Sequence, residues 1–545
     1  MIYIPSPSGE VRGVVSLPYS AMIGVPFPDS ADPASRGLPR TTWKPGRWRA
    51  IAAAVVLAAA PACAAAPVPD EIIVSIIGGS DRNSTQAGFQ ALAAAYARKH
   101  PEIRVVFEPK GNGHGVGYPM WLNTELSSGT PRADVVSGNY SPEFPRYVNF
   151  DYYAGLVNPY TGRKWSEDLD FNFFKSTNSR GERILLSTQM VKVVWYYNRD
   201  IFDRLRLRVP ATWDELLQTC TVLRAHGFVP TTVRFNYRFH QWLLEILGDQ
   251  FTRANIELVR ARPGDWCFDP ERDGNWRYDP SDPFNDARPT INFARLLGAI
   301  RQGQIRYDTP AFRQVLDNLR ALAAHTPSDF LVDTPSADAE AYTLFLNGIA
   351  AIHLDTSMLL SQLDADVAGA GHFRWSSFDT PSQTGPLVVA PARAVESSAG
   401  EYIGVIRKNQ PHTDRVIDFL QFWLSPQGYQ IYVDAQLPTG RFHPAGPIMV
   451  RGVTLPAQYQ ESFVKVVRRG NAEMPVNYVG GFLPSGSRLV VDFKRTLASF
   501  IQGKISTEDC ARQIQAIMIA AVDETVANNH LDASFLKHPE RDPNS

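Results

Sequence analysis

Cysteine is scarce in this chain, with four residues among 545. One of them, Cys63, lies in an N-terminal segment of export type, which leaves Cys220, Cys267 and Cys510. So sparse and odd a set excludes a disulfide scaffold, though an oxidising compartment would permit one pair. No CxxC and no Cys/His spacing of a zinc site occurs, so no metal is expected. Neither sign of charge is in excess: the formal net charge is -1. That balance argues against a nucleic-acid partner and against a polybasic membrane surface. No apolar run reaches the length of a membrane-spanning helix. The chain lacks a GxSxG elbow and an HExxH pair. The run from Gly111 to Gly117 has no Lys-Ser/Thr after it, and its spacing does not fit GxGxxG. It reads as a flexible loop ahead of a helix that begins at Trp121. No internal repeat is visible. No catalytic residue and no cofactor is therefore assigned.

What is present begins with the export signal. Lys44, Arg47 and Arg49 form a positive region, and an Ala-rich apolar run from Ile51 to Ala60 follows. Pro61, Ala62, Cys63 and Ala64 to Ala66 then supply small residues for cleavage. This order predicts an exported, periplasmic protein. The alternative is a lipid anchor on Cys63; Pro61, and the lack of a Leu three residues before the cysteine, disfavour it. Residues 1 to about 40 are rich in Pro, Ser and Gly and read as an extension ahead of the signal. The remaining length exceeds what a single core supports, so two domains are expected.

Apolar spacing along the mature chain predicts a β-loop-α-β start: a strand over 71–77, a helix through Phe89, Leu92 and Tyr96, and a strand over 103–107. Such an order suits a parallel α/β sheet. Val193 to Tyr197 is wholly β-branched or aromatic, the composition of a strand buried on both faces. Pro210, Thr212 and Glu215 then spell a helix start with a capping box, and His226-Gly227 spells its stop. Residues 262–290 break the pattern, being rich in Pro, Asp and Trp without an apolar period. They read as an ordered surface loop or lid insertion. Asp269, Glu271, Asp273 and Gly274 open like a calcium loop, but the twelfth position is Pro280 rather than Glu, so a solvated turn-rich loop is favoured.

The stretch 193–217, VVWYYNRDIFDRLRLRVPATWDELL, closely resembles a signature of the family-1 extracellular solute-binding proteins of ATP-binding-cassette importers. Four further pieces follow in that family's order. They are the Phe345-to-Ile352 helix-turn-strand, the helix around Val416 to Leu424, its Ser425-to-Gln430 continuation, and Leu497 to Ser506. The resemblance covers about 70–530. It implies an α/β chain with the class II periplasmic-binding-protein fold, in which two α/β lobes hold a ligand cleft between them. It places the N-terminal extension and signal at 1–66. Lobe one would take 67–190 and 400–465. Lobe two would take 191–399, with the insertion at about 262–290, and 466–545.

The same resemblance implies function. The partners would be a small-molecule solute, of carbohydrate or polyol type, and the membrane permease of an importer, with the protein acting as a monomer by hinge closure. Loop residues at strand ends would bind the solute: Ser80, Asp81, Asn139, Tyr140, and the aromatic set Tyr237, Phe239 and Trp242. That last segment resembles the one facing sugar in maltose-binding proteins. Core packing is the competing reading for Trp242, and Tyr237 and Phe239 alternate, so that one of the two would be buried and the other exposed. After the strand at 351–354 the family often places a Trp, where this chain has Met358; Asp355 or Ser357 would hydrogen-bond the solute instead. His353, between Ile352 and Leu354, reads as a satisfied core residue. Two alternatives stay open: a non-sugar solute or sensor partner, and a glycoside hydrolase. A hydrolase needs a carboxylate pair across the bond. Asp134, Glu245 and Asp249 are available, and nothing in the sequence selects a pair.

Overall fold

In the computed structural model the described residues run from 70 to 542, apart from 78–85, 112, 142–143, 172–181, 399–401, 440–441, 443, 464–465, 475, 478–482, 484–486 and 529–530. The export segment and the expected ligand residues Ser80 and Asp81 lie outside the described residues.

Two sheets organise the chain. The first runs β2 (Ile103–Phe107), β1 (Asp70–Ser75), β3 (Val135–Ser137), β9 (Ile403–Val405), with β9 alone antiparallel to its neighbour. The second runs β5 (Val229–Thr231), β6 (Ala350–Thr356), β4 (Met190–Asn198), β7 (Trp375–Phe378). There β5 and β6 are parallel, and β4 is antiparallel to both its neighbours. β8 (Glu396–Ser398) pairs with the start of β4. All nine residues of β4 are buried, as the apolar run Val193 to Tyr197 within it predicts.

Alternation places side chains on both faces of the first sheet. Val135 joins one core with Ile72, Val74 and the helices Gln86–Ala97, Gln410–Trp423 and Pro426–Gln436. Val136 joins a smaller core with Tyr118, Leu122 and Leu126. These three residues sit at four-residue spacing on the helix Gly113–Ser127, which also contains Pro119. The glycine-rich run is therefore helical from Gly113 onward, and the expected loop before Trp121 is corrected. Burial of one apolar stripe outweighs the weak helix preference of Gly and Pro there.

The second sheet carries the larger core. It is packed by the helices Trp213–Ala225, Leu244–Thr252, Phe293–Arg301, Pro310–Ala323, Arg488–Ile501 and Thr507–Asn528. The capping box forms as spelled: Thr212 Oγ1 accepts from the Glu215 amide at 3.2 Å, and the Glu215 carboxylate accepts from the Thr212 amide at 3.3 Å. Gly227, at φ 83°, closes that helix in a conformation costly for other residues. Among the described residues no helix is long and apolar enough to cross a membrane.

The insertion at 262–290 is an ordered layer on this second core. Trp276 is buried, and its indole donates to Asn285 O at 2.9 Å. Asp265 pairs with Arg295 at 2.7 Å. Asp269 caps the short helix Pro270–Asp273, and Asp273 accepts from the amides of Asp269 and Thr290. These carboxylates thus serve the backbone of the loop.

Candidate functional site

The ends of the first sheet's strands are fixed by one phenol. Tyr118 OH donates to Ser75 O and accepts from the Ser137 amide, each at 2.7 Å. It thereby ties the end of β1 to the end of β3. The chain next makes a tight turn, Gly138–Tyr140. A Cβ at Gly138 would meet the Leu185 side chain at 2.7 Å, so any other residue there must displace it. The Gly138 amide donates to Tyr402 O at 2.9 Å, which brings Tyr402 beside Asn139 and Tyr140. Tyr140 rests on the Tyr118 ring, with centroids 5.7 Å apart. Asn139 Oδ1 is buried and accepts no hydrogen bond. Tyr402 has φ 25°, a region a bulky side chain rarely occupies, and such strain concentrates at functional positions.

The second lobe contributes through an unusual turn. Residues Arg238–Leu243 form a wide π-helical turn leading into Leu244–Thr252. Turns of this kind re-aim side chains and recur at functional sites. Tyr237 and Trp242 meet edge to face at 4.8 Å across it. Tyr237 is 42% exposed and Trp242 half-buried. Arg238 covers one face of Tyr237 at 5.0 Å and reaches Asp338 at 3.2 Å and Asp355 at 3.1 Å.

Glu473 completes the arrangement. The segment around it lies against β8, because Ala472 N donates to Ala394 O and Asn471 Oδ1 accepts from Glu396 N. It also lies along the helix Leu244–Thr252, because Asn477 donates to Asp249 at 2.6 Å. Ser397, on β8, is 3.3 Å from the Tyr402 hydroxyl. The Tyr402 phenol is pushed above its ordinary range, first by burial and further by Glu473, Tyr140 and Tyr237, while Ser397 works against the shift. Groups from both sheets therefore converge: Asn139, Tyr140 and Tyr402 from one, Tyr237, Trp242 and Glu473 from the other.

Two expected ligand residues are corrected. Phe239 is 0% exposed and packs at 4.9 Å on Phe330 in the second core, so it presents no stacking face. Of the alternating pair Tyr237 and Phe239, Phe239 is the buried one. Ser357 is likewise 0% exposed; it accepts from Lys192 N and donates to Ala445 O, each at 3.1 Å. Asp355 is held by Arg238 and His353 inside its own lobe. Burial works to raise its pKa, but those two partners outweigh it and hold the carboxyl below the usual range. His353 bonds Thr232 at 2.5 Å and stacks on Phe345, a core role as read.

The three hydrolase candidates separate. Asp134 accepts from Ile73 N, His412 and Lys408, and pins the first sheet. Asp249 is buried among Arg253, Arg393 and Asn477. Glu245 is 0% exposed, and both its oxygens lack a partner. Burial lifts its carboxyl well above the usual range, and the charge of Glu473 adds to that. Burial also raises Glu473 to about 7, against a smaller opposing effect of Ser397. Sequence reasoning missed Glu473 and Tyr402 as site residues, since neither stands in a pattern that distinguishes it.

These two raised carboxyls fix a pH dependence. A folded-state pKa above the unfolded value of 4.5 means that folding takes up protons in the interval between them. Stability is then lost as pH rises from about 4.5 through about 7. Glu473→Gln removes the Glu473 share of this loss. Melting between about pH 5 and about pH 8 is expected to show a shallower fall for the variant than for the wild type. Equal slopes would contradict the placement of Glu473.

Residues 79–273 match the family model of the bacterial extracellular solute-binding proteins. The whole described body shares the fold of solved members. One is a family 1 extracellular solute-binding protein from Bifidobacterium longum subsp. infantis: TM-score 0.52, 13% identity, 83% of this chain and 99% of that one. Over residues 79–273 the chain is similar to the extracellular solute-binding proteins, the family that the sequence resembles. Its fold is the two-lobed α/β fold of that family, as the sequence resemblance implied. Another similar structure is a cyclic alpha-maltosyl-1,6-maltose binding protein from Arthrobacter globiformis, at TM-score 0.51 and 13% identity, covering 84% of this chain and 100% of that one. A bacterial solute receptor with a preference for b-D-galactopyranose aligns at TM-score 0.55 and 12% identity, over 84% of this chain and 99% of that one. A curated relative, an uncharacterized ABC transporter extracellular-binding protein of Pyrococcus horikoshii, is 26% identical over 150 residues. That match spans 26% of this chain and 32% of the relative.

Proposed function

We propose that this protein captures a carbohydrate or polyol-sized solute between its lobes and delivers it to the membrane permease of an ABC importer. The convergence of Tyr140 and Tyr402 from one sheet with Tyr237, Trp242 and Glu473 from the other carries this reading. Rings supply apolar faces for a sugar ring, and the unpaired polar atoms supply hydrogen bonds. The neighbours named for sugars support the solute class. The lobe boundaries proposed from the sequence have support in three chain passages. Leu186 bridges to Ile403 while Met190 begins pairing with β8. β8 ends at Ser398, and β9 begins at Ile403. Val466 packs in the first lobe's core, and Ala472 packs in the second's. Hinge motion at these passages would close the cleft.

Export by the N-terminal segment, to the periplasm and as a monomer, belongs to the same proposal. One preparation tests both halves. Protein recovered from the exported fraction is expected to begin between Ala62 and Ala66, and its melting temperature to rise with added mono- or oligosaccharide by mass action. An intact N-terminus on cytosolic protein, or melting indifferent to every sugar and polyol tried, would count against it.

A further inference from the structure

The insertion at 262–290 takes no part in the proposed site, yet it meets the chain where the lobes join. The third passage runs from Val466, in the first lobe's core, to Ala472, in the second's. Gly470 lies between them at φ 82°. A Cβ there would collide with Pro283 O and crowd the Arg393 side chain at 3.2 Å, so the backbone of the insertion presses directly on the backbone of the passage. Pro283 is held in place, because Arg393 donates to its carbonyl at 2.9 Å and pairs with Asp286 and Asp249 around it. Phe284, the next residue of the insertion, lies under the Arg468 guanidinium at 5.1 Å.

Arg468 is shared between the lobes. It reaches Asp170 at 2.9 Å and Glu396 at 3.1 Å. The Asp170 amide donates to Met449 O, and Met449 packs in the first lobe's core. Glu396 stands on β8 beside Val395 of the second core, and it also accepts from the Arg469 amide at 2.6 Å. Glu396 and Ser397 are successive on that strand, so their side chains leave opposite faces. Ser397 meets Tyr402 at the proposed site, whereas Glu396 meets Arg468. The insertion therefore stands behind the cleft rather than over it. Any swing of one lobe about the passage must rearrange Arg468 between Asp170 and Glu396, and must drag Gly470 past Pro283. Close-packed contacts of this kind yield in discrete steps and do not deform smoothly.

We propose that the insertion is a brace on the hinge: Pro283 and Phe284 hold the passage 466–472 and restrict how far the lobes swing. This rests on the reading that the lobes move about that passage, and it gives the insertion a role other than that of a lid.

Pulsed electron-spin distance measurements on the full chain test it. Nitroxide labels go on Tyr152→Cys in the first lobe and Arg488→Cys in the second, both at exposed positions. Cys267→Ser is present in every sample, since Cys220 and Cys510 are buried and Cys267 only partly so. Without solute, the intact brace is expected to give one narrow distance distribution. Phe284→Ala and Arg468→Met, made separately, are each expected to widen it about twofold or more. Phe239→Ala, a core truncation away from the passage, is expected to lower the melting temperature without widening it. Should one brace variant fail to fold, the other carries the comparison. A wild-type width in the folded brace variants, or equal widening by Phe239→Ala, overturns the brace. If maltose or galactose still shifts the mean distance of the wild type, the hinge reading survives that result. If neither the brace variants nor any sugar that raises the melting temperature moves the distribution, both readings fall.

Discussion

Replacing Arg393 by alanine is expected to destabilise the protein by about 3–5 kcal/mol, the cost of stripping a buried carboxylate of its partner. Arg393 is fully buried. It holds Asp249 at 2.7 Å and Asp286 at 2.6 Å, and it donates to Pro283 O at 2.9 Å. Asp249 in turn accepts from Arg253 and Asn477. The loss therefore leaves Asp286 without its guanidinium and loosens the insertion that carries it. It also slackens Asn477, which positions the segment bearing Glu473. Urea unfolding should show a lower midpoint, and solute affinity of the folded protein should fall as well. A stability change below about 1 kcal/mol would mean that the cluster is dispensable.

Phe239→Ala and Tyr237→Ala should behave oppositely, although the two residues are neighbours in sequence. Phe239 is enclosed by Phe235 and Phe330, so its truncation leaves a cavity and is expected to cost about 3–5 kcal/mol of stability. Affinity of the remaining folded fraction should stay near wild type. Tyr237 is partly exposed beside Trp242, so its truncation should leave melting close to wild type. It should weaken solute binding by about 1–3 kcal/mol, the worth of a buried apolar side chain. Paired measurements of melting and affinity separate the roles. A Tyr237 variant with unaltered affinity would remove that ring from the site.

Local grammar explains what the sequence made legible. The buried strand at Val193 to Tyr197, the capping box at Thr212 and the glycine stop at Gly227 each follow from a few adjacent residues, and each formed where it was read. The aromatic segment was legible as a candidate site in outline, because three rings in six residues are unusual outside a core or a binding face. Which ring faced the cleft was not legible. Alternation says that one of Tyr237 and Phe239 is buried but not which, and the π-helical turn at Arg238–Leu243 carries Phe239 on its inward side. The glycines from Gly113 misled in the other direction, since tertiary burial of Tyr118, Leu122 and Leu126 imposed a helix. Glu473 and Tyr402 were silent for a different reason. Their meaning comes from partners more than 60 residues away in sequence: Tyr402 lies against the turn after β3, and Glu473 against β8 and a helix begun at Leu244. No spacing rule within one segment reports such a juxtaposition.

Capture between lobes is the central claim, and small-angle X-ray scattering addresses it most directly. A solute that raises the melting temperature is added at saturating concentration, and scattering is compared with the solute-free protein. The account expects a smaller radius of gyration on binding, and loss of that compaction at the same concentration in the Tyr237→Ala variant. An unchanged radius with a confirmed tight solute would contradict closure of the two lobes around it.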